Sequence, residues 1–268
     1  MSPASPSLVS RMFTKLGFAA PPKPDLAGLE ALYTAWCDHV PFDNVRKRIS
    51  MARSTTEPLP GGLPDDFLSA YLEHGTGGTC WPTSNGLFAL VDACGFDARR
   101  ISSSMFDRND HNHGSILVRL DGKDWMVDSS MECGFPIPLV PGVACKLGDA
   151  VHPVRVEPHE KGTIVHWGMN QSTDTLPCRL MQDPVDEAFY LERYEKSRTN
   201  SVFNTALYAR RNLPGLLLGF YGRKRVEKTA TGVMTFELSP EEVRHCLVTE
   251  MGYSEAIVTE LEKTAGYG

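Results

Sequence analysis

The sequence predicts an α+β protein in three parts: a helical first part, a central antiparallel sheet or barrel, and a last part that mixes strands and helices. Apolar residues before Gly95 recur mostly with helical spacing. After Gly95 the period changes, and short strand-like runs alternate with loops that contain proline and glycine. A helical stretch at 186–196 then separates the middle of the chain from its end. We therefore predict domains at residues 1–95, 96–185 and 186–268.

Three helices are predicted before residue 75, from apolar spacing combined with start and stop signals. The segment 47–63 contains two prolines and two glycines and is predicted to be a loop. The predicted helices are residues 8–16, a helix capped by Asp25 that ends near Val40, and a helix from Asp65 or Asp66 to about Glu73.

Strand signals dominate the rest of the chain. The Asp-Gly pair at 121–122 is a strong signal for a two-residue hairpin turn between strands at 115–120 and 124–127. Ser239, followed by a proline and two glutamates, indicates the start of a helix. The other predicted elements are strands at 98–102, 162–168, 176–182, 205–211, 216–221 and 233–238, and a last helix from Ser254.

Composition argues against several classes of function. The 268-residue chain carries a formal net charge of −6 and no long basic tract, so we expect no nucleic-acid partner. No apolar run approaches the roughly 18 residues of a membrane-spanning helix, and the N-terminus lacks the features of a signal peptide. The seven cysteines are irregularly spaced, without a CxxC pair. We therefore expect a cytoplasmic protein with reduced thiols, no bound metal and no membrane partner.

Cys80 lies in the most informative stretch of the chain. Gly77 and Gly78 precede it and allow a sharp turn, and an apolar run with helical spacing follows it and stops at Gly95. Cys80 is therefore predicted at or just before a helix N-terminus, where backbone N–H groups and the helix dipole stabilise a thiolate. A buried structural cysteine is the alternative interpretation.

A thiolate nucleophile needs a base, and the base needs a group that orients it. With the predicted two-residue turn, Ser115 lies opposite Asp128, and His113 lies diagonal to Asp128 on the same face of the hairpin. Diagonal neighbours of this kind have Cβ atoms within about 7–8 Å. His111 shares the face but lies two residues further from the turn, which makes it the less favoured base. We predict Cys80 as nucleophile, His113 as base and Asp128 as orienting carboxylate.

Four motifs occur along the chain in a fixed order: PFDN at 41–44, TGGTCWPTSN at 76–85, His113 with Val127 and Asp128, and SVFNTAL at 201–207. They are similar to the motifs P-F-E-N, R-G-G-x-C-x-E-x-N, H…V-D and S-P-F-x-x-N-L of the arylamine N-acetyltransferase family, cysteine acyltransferases of the wider transglutaminase-like group. The resemblance covers roughly residues 10–255. Thr76 stands where the family has arginine, and Pro82 or Thr83 stands where it has glutamate.

The resemblance implies an N-terminal helical bundle, a middle β-barrel and a C-terminal α/β lid. It also implies ping-pong chemistry, in which Cys80 takes an acyl group from a thioester and passes it to a small-molecule amine. The thioester would be a co-substrate, either an acyl-CoA or an acyl group on a carrier protein, and no cofactor would stay bound. Phe42 and Phe203 lie within two of the similar motifs and are implied to bind the substrate.

Further residues are predicted to contact the acceptor and the donor. Met131 and Glu132 follow Asp128 on the acceptor side, where the Glu132 carboxylate favours an acceptor with a second, cationic amine. A Glu132 that faces solvent is the alternative. The phosphates of a phosphopantetheine donor need cationic partners. The alternative interpretation of the basic residues is a solvated edge of the protein that binds no donor. The candidates are Arg223, Lys224 and Arg225, together with Arg210 and Arg211.

Other functions fit the same three residues. A thiol hydrolase or peptidase of the transglutaminase-like superfamily would use water in place of the amine. An amide synthase would be a biosynthetic variant of the acyltransferase. A catalytically inactive scaffold would use the cleft only for binding, although the intact set of Cys80, His113 and Asp128 argues against it.

Overall fold

The computed structural model describes residues 4–268, and over this range the protein is α+β, as predicted. Its helices are α1 (Pro6–Lys15), α2 (Leu26–His39), α3 (Val45–Ala52), α4 (Pro64–His74), α5 (Cys80–Ala93), α6 (Glu187–Lys196), α7 (Pro240–Thr249) and α8 (Glu255–Thr264). Its strands are β1 (Phe42–Asp43), β2 (Asp97–Met105), β3 (His113–Leu120), β4 (Lys123–Val127), β5 (Ile137–Leu139), β6 (Cys145–Leu147), β7 (Val154–His159), β8 (Gly162–Gly168), β9 (Thr175–Val185), β10 (Tyr208–Leu213), β11 (Leu216–Tyr221), β12 (Lys224–Thr229) and β13 (Gly232–Glu237).

Helix α5 is the most deeply buried element of the N-terminal part. Every residue from Cys80 to Val91 is buried, because α2 and α4 pack against this helix together with strands β2 and β3. A helix that is covered on all sides needs no amphipathic stripe. The second half of α5 is accordingly mostly apolar, while the buried polar side chains of Ser84 and Asn85 in its first half donate hydrogen bonds to the carbonyl oxygens of Gly114 and Gly62. It begins at Cys80 and is followed by Gly95, whose φ of +81° suits the residue after a helix, as predicted.

Helix α2 carries the predicted cap, and α4 begins one or two residues before its predicted start. Asp25 caps α2, since its Oδ1 accepts a hydrogen bond of 2.8 Å from the backbone N–H of Gly28. Helix α4 begins with Pro64 and ends at Gly75, whose φ of +72° is left-handed. These two helices are therefore fixed at their ends by local sequence.

The central sheet has eight antiparallel strands in the order β5-β4-β3-β2-β9-β8-β7-β6 and is barrel-like, which confirms the predicted middle part. In its β3–β4 hairpin, Ile116 pairs with Val127 and Leu120 pairs with Lys123. This is the register predicted from a two-residue turn. Both turn residues, at 121–122, have positive φ, as a type I′ turn requires.

The C-terminal lid consists of β10–β13 with α7 and α8. Its sheet has five strands in the order β1-β10-β11-β12-β13, so that β1 from the N-terminal part forms its edge. Helix α7 begins at Ser239 with the predicted capping box, in which Ser239 and Glu242 bind each other's backbone N–H groups. Because β1 belongs to this sheet, the N-terminal part and the lid share backbone hydrogen bonds; the division of the chain at residues 95 and 185 stays a prediction.

Helix α3 extends into the segment 47–63 that is predicted as a loop, and that prediction is wrong for residues 47–52. Its Val45 and Ile49 are buried in a cluster made otherwise by lid residues. The apolar partners of this short helix thus come from residues 207–267, far later in the chain. Tertiary packing, and not a local signal, makes these residues helical.

Several strands had no sequence signal strong enough for a prediction. Strand β12 has the sequence KRVEKT, in which charged residues hide the alternation that marks a strand. It is nevertheless paired on both sides, with β11 and β13, and the side chain of Lys228 is buried. The other unpredicted strands are β1, β5, β6 and β7.

Over the described range, no helix combines the length and the apolar character that crossing a membrane requires.

Candidate active site

Cys80 is the first residue of α5, and the two glycines before it are required by close packing. A Cβ atom on Gly77 would lie 1.7 Å from the carbonyl oxygen of Pro41, and one on Gly78 would lie 2.9 Å from Cγ of Pro82. Only glycine therefore lets the chain enter the helix along this path. Cys80 is 8% exposed, and its Sγ lies 3.9 Å from the carbonyl oxygen of Asn112.

His113, the first residue of β3, contacts Asp128, the residue directly after β4. The hairpin register brings Nε2 of His113 to 2.7 Å from Oδ2 of Asp128, and Ser115 donates its hydroxyl hydrogen to the same oxygen at 2.7 Å. Burial disfavours the charged imidazole, but the charge and hydrogen bond of Asp128, assisted by Cys80, raise the pKa of His113 to about 10. The ring therefore holds its proton over the neutral range.

Hydrogen bonds hold both the carboxylate and the backbone of Asp128. Its Oδ1 accepts hydrogen bonds of 2.9 Å from the N–H groups of Ser130 and Met131. Tyr33 on α2 donates its hydroxyl hydrogen to the carbonyl oxygen of Asp128 at 2.7 Å. Burial acts to raise the pKa of Asp128, but the charge and hydrogen bond of His113 outweigh it and lower that pKa. The carboxylate is thus ionised and fixed in one orientation.

His111, the alternative base, contacts other groups. Its Nδ1 lies 2.6 Å from the hydroxyl oxygen of Ser102, and its ring packs edge-on against Phe189 with 5.5 Å between centroids. Of the two histidines, it is His113 that Asp128 orients.

Phe42 and Phe203, the predicted substrate residues, belong to one aromatic cluster. Their rings are T-shaped with centroids 5.3 Å apart, and Tyr208 packs against both, at 5.5 Å from Phe42 and 4.8 Å from Phe203. Cys80 lies in the same apolar cluster. Tyr208 was not predicted, although it follows directly after the SVFNTAL motif; its hydroxyl accepts a hydrogen bond of 3.0 Å from Asn170.

Met131 and Glu132 differ in their surroundings. Met131 is half-buried beside the main core, whereas Glu132 is fully buried and does not face solvent. Oε2 of Glu132 lies 3.1 Å from Nη2 of Arg210, and its backbone carbonyl accepts a hydrogen bond of 2.7 Å from Asn212. Burial raises the pKa of Glu132 to about 8, and Arg210 opposes that rise. A contact between Glu132 and the acceptor stays a prediction.

Two of the three consecutive residues predicted to bind the donor lie against carboxylates of the lid. Arg225 is bound to Glu250 through both Nη atoms, at 2.5 and 2.8 Å, and to Glu227 through Nε. Arg223 lies 3.6 Å from Glu237, and Lys224 is exposed at the start of β12.

Arg210 and Arg211, the donor candidates on β10, also bind other groups of the protein. Arg211 donates to the carbonyl oxygens of Glu250 and Met251, while Arg210 is buried against Glu132. Their roles in donor binding stay predictions.

Asp43 of the PFDN motif was not predicted as a site residue. It binds the backbone N–H of Gly77 at 2.7 Å and the hydroxyl of Tyr253, near the start of α8, at 2.9 Å. Burial raises the pKa of Asp43 to about 6. Thr76, which stands in the place of the family arginine, directly precedes Gly77 and is buried. Its hydroxyl has no hydrogen-bond partner among the described residues. Asp43 thus links the turn before Cys80 to the lid.

No group of three or more His, Cys, Asp or Glu side chains within residues 4–268 is arranged to hold a metal ion.

The sequence matches a family of enzymes over most of its length. Residues 25–254 match a family model described as N-acetyltransferase. The chain therefore belongs to the arylamine N-acetyltransferase family, whose members are acyltransferases with acetyl-CoA as co-substrate. Among curated proteins, none matches the sequence.

Solved structures share the fold at low sequence identity. The arylamine N-acetyltransferase of Mycobacterium abscessus superposes with a TM-score of 0.80 at 19% identity, covering 96% of this chain and 94% of that one. That of Mycobacterium marinum in complex with CoA gives 0.79 at 14% identity, with 96% and 99% covered. The enzyme of Salmonella typhimurium gives 0.77 at 17% identity, with 96% and 98% covered.

Proposed function

We propose that this protein is a cysteine-dependent N-acyltransferase that moves an acyl group from a CoA thioester to a small amine through an acyl-Cys80 intermediate. The observation that carries the proposal is the contact of His113 with Asp128 beside the thiol at the start of α5. Nucleophile, base and orienting carboxylate are the three groups that acyl transfer through a thioester requires.

At the start of the first half-reaction, the thiol proton of Cys80 already lies on His113, so a thiolate is paired with an imidazolium. Because Nε2 of His113 is bound to Asp128, Nδ1 is the nitrogen that serves the thiol. The thiolate attacks the thioester carbonyl carbon, and the C–S bond to CoA breaks. The leaving CoA thiolate takes the proton from His113, which leaves the acyl group on Cys80 and the imidazole neutral.

In the second half-reaction, the amine nitrogen attacks the carbonyl carbon of acyl-Cys80. Neutral His113 accepts a proton from that nitrogen, the C–S bond to Cys80 breaks, and an amide leaves. The proton on His113 and the thiolate of Cys80 restore the starting state. Asp128 stabilises the imidazolium in both halves and keeps the ring in one tautomer.

The substrates follow from family membership and from the apolar surroundings of Cys80. Acetyl-CoA is the proposed donor, and no observation favours a carrier protein over CoA. A planar aromatic amine is the proposed acceptor, because Phe42 lies in the same apolar cluster as Cys80 and the rings of Phe203 and Tyr208 pack against that cluster. The second, cationic amine predicted from Glu132 is not part of this proposal, since Glu132 is buried against Arg210.

We place the reaction in the cytoplasm. All seven cysteines are free thiols, and all except Cys145 are buried. A reducing compartment is consistent with that state.

Intact-mass spectrometry after incubation with acetyl-CoA tests the proposal. Wild-type protein should gain the mass of one acetyl group, and Cys80→Ser should gain none. Cys94→Ser is the matched control, because Cys94 is a buried thiol at the other end of α5 and should not affect labelling.

Adding an arylamine should then discharge the labelled enzyme and yield the amide. Discharge at the same rate by water alone would identify a thiol hydrolase instead. Absence of any acetyl adduct in the wild type, or an adduct that persists in Cys80→Ser, would overturn the proposed intermediate.

A further inference from the structure

The segment after β4 carries Asp128 and then turns sharply; residues 128–132 are called the carboxylate loop below. The N–H groups of Ser130 and Met131 both bind Oδ1 of Asp128, so the path of the loop sets the position of the carboxylate. Glu132 at its end has φ +49°, in the left-handed region that residues other than glycine seldom adopt. A loop in this conformation needs contacts from outside to hold it.

Strand β10 of the lid supplies those contacts. Arg210 donates through Nη2 to the carbonyl oxygen of Ser130 and to Oε2 of Glu132, and Asn212 donates to the carbonyl oxygen of Glu132. Arg210 is 2% exposed and Glu132 is 0% exposed. The guanidinium has five donors in a rigid fork, so one arginine can bind a carbonyl and a carboxyl oxygen together.

We propose that Arg210, assisted by Asn212, is a positioning residue through which the lid holds the Asp128 carboxylate against His113. This inference rests on the proposed function and extends it, because it gives the C-terminal lid a part in the chemistry. The contacts run from Arg210 to Ser130, from the loop N–H groups to Asp128, and from Asp128 to His113.

The composition of this junction supports a role beyond fastening the lid. Four of its buried polar atoms have no hydrogen-bond partner within the described part of the chain: Ser130 Oγ, Glu132 Oε1, Arg210 Nε and Asn212 Oδ1. Such atoms are rare in folded proteins because each costs free energy. Apolar residues of similar volume often stabilise a buried site as well as an ion pair does. A junction selected only for stability would not need this arginine.

The test compares Arg210→Gln with Arg48→Gln. Arg48 is a buried arginine on α3 that also ties the lid to the rest of the protein, by donating to the carbonyl oxygens of Ala265, Gly266 and Gly268. It has no contact with the carboxylate loop among its hydrogen bonds in the described residues. Both variants should lose stability, so thermal unfolding provides a common scale.

The decisive measurement is the rate at which iodoacetamide alkylates Cys80 at neutral pH, at a temperature well below the melting temperature of each variant. The kcat and the KM for acetyl-CoA are measured under the same conditions. Arg210→Gln should alkylate about 10- to 100-fold more slowly than wild type, as expected for a displaced catalytic group. Its KM for acetyl-CoA should stay within about twofold, so that the loss lies in kcat. Arg48→Gln should alkylate at the wild-type rate.

A wild-type alkylation rate in Arg210→Gln, or an equal slowing in both variants, overturns the inference. If Arg210→Gln does not fold, Asn212→Ala decides, because it keeps the contact of Arg210 with Glu132 and removes only the hydrogen bond to the carbonyl oxygen of Glu132. Slower alkylation of Asn212→Ala then supports the positioning role, and an unchanged rate overturns it. If wild-type Cys80 itself neither alkylates nor takes an acetyl group, it is the proposed function that fails.

Discussion

Ser115 and His113, two residues apart on β3, bind the same oxygen of Asp128, each at a distance of 2.7 Å. The serine hydroxyl lowers the pKa of Asp128 together with the imidazole, so the carboxylate is held by two neighbours on one strand. This places Ser115 in direct contact with the carboxylate that we propose orients the base.

Ser115→Ala should weaken both stability and activity. It removes a hydrogen bond to a charged acceptor, which contributes about 1.5–3 kcal/mol, so urea unfolding at pH 7 should show a loss of that size. Acetyl transfer should slow, by less than in Asp128→Asn. Ser102→Ala is the control, since Ser102 is buried on the neighbouring strand but contacts His111. An equal loss of rate in Ser102→Ala would instead point to His111 as the base.

Asp128→Asn should reduce the rate of acetyl transfer by orders of magnitude with the fold intact, as in other triads. Its effect on stability should depend on pH. Because the folded pKa of His113 is about 10, above its ordinary 6.5, the pair stabilises the fold fully below pH 6.5 and loses this contribution as the pH rises through 10. Because the pKa of Asp128 is lowered from 3.8, its contribution is present above pH 3.8 and is lost as the pH falls through the lower value.

Urea unfolding of wild type and Asp128→Asn between pH 4 and pH 10 checks this dependence. The difference in unfolding free energy between the two proteins should be largest between pH 3.8 and 6.5 and should shrink towards pH 10. A difference that is constant across this range would show that the two groups are not coupled as described.

Tyr253→Phe should destabilise the protein more at pH 8 than at pH 5. The folded pKa of Asp43 is about 6, above its ordinary 3.8, so the folded state binds the proton more tightly and stability from this group falls as the pH rises from 3.8 through 6. At pH 8 the ionised carboxylate depends most on the Tyr253 hydroxyl, and its loss should cost about 1.5–3 kcal/mol. Tyr267→Phe is the control, because its hydroxyl binds Glu262 on α8; the same pH dependence there would rule out Asp43 as the cause.

Gly77→Ala should be among the most destabilising alanine substitutions in the chain. The new Cβ would lie 1.7 Å from the carbonyl oxygen of Pro41, a backbone atom that cannot move aside cheaply. Overpacking of this kind costs about 3 kcal/mol or more, which thermal or urea unfolding will register. In Gly219→Ala the nearest atom is a side-chain carbon of Tyr221 at 3.3 Å, and the cost should be much smaller. Equal losses in the two variants would contradict the packing argument.

The parts of the site that sequence could predict depend on neighbours along the chain. Helix α5 begins at Cys80 because glycines and an apolar run define its start, and the hairpin register follows from the length of one turn. The turn length alone places His113 and Ser115 on the face of Asp128. For such elements, the local preference and the tertiary fold agree.

The sequence by itself therefore determined the α+β class, the start of α5 and the pairing of His113 with Asp128. Only the tertiary structure decided that Glu132 is buried against Arg210, 78 residues later, and that Tyr33, 95 residues earlier, donates to the carbonyl oxygen of Asp128. No periodicity connects residues so far apart. These contacts exist because the helical part, the central sheet and the lid pack together around residues 128–132, and burial there selects polar partners that a local pattern does not specify.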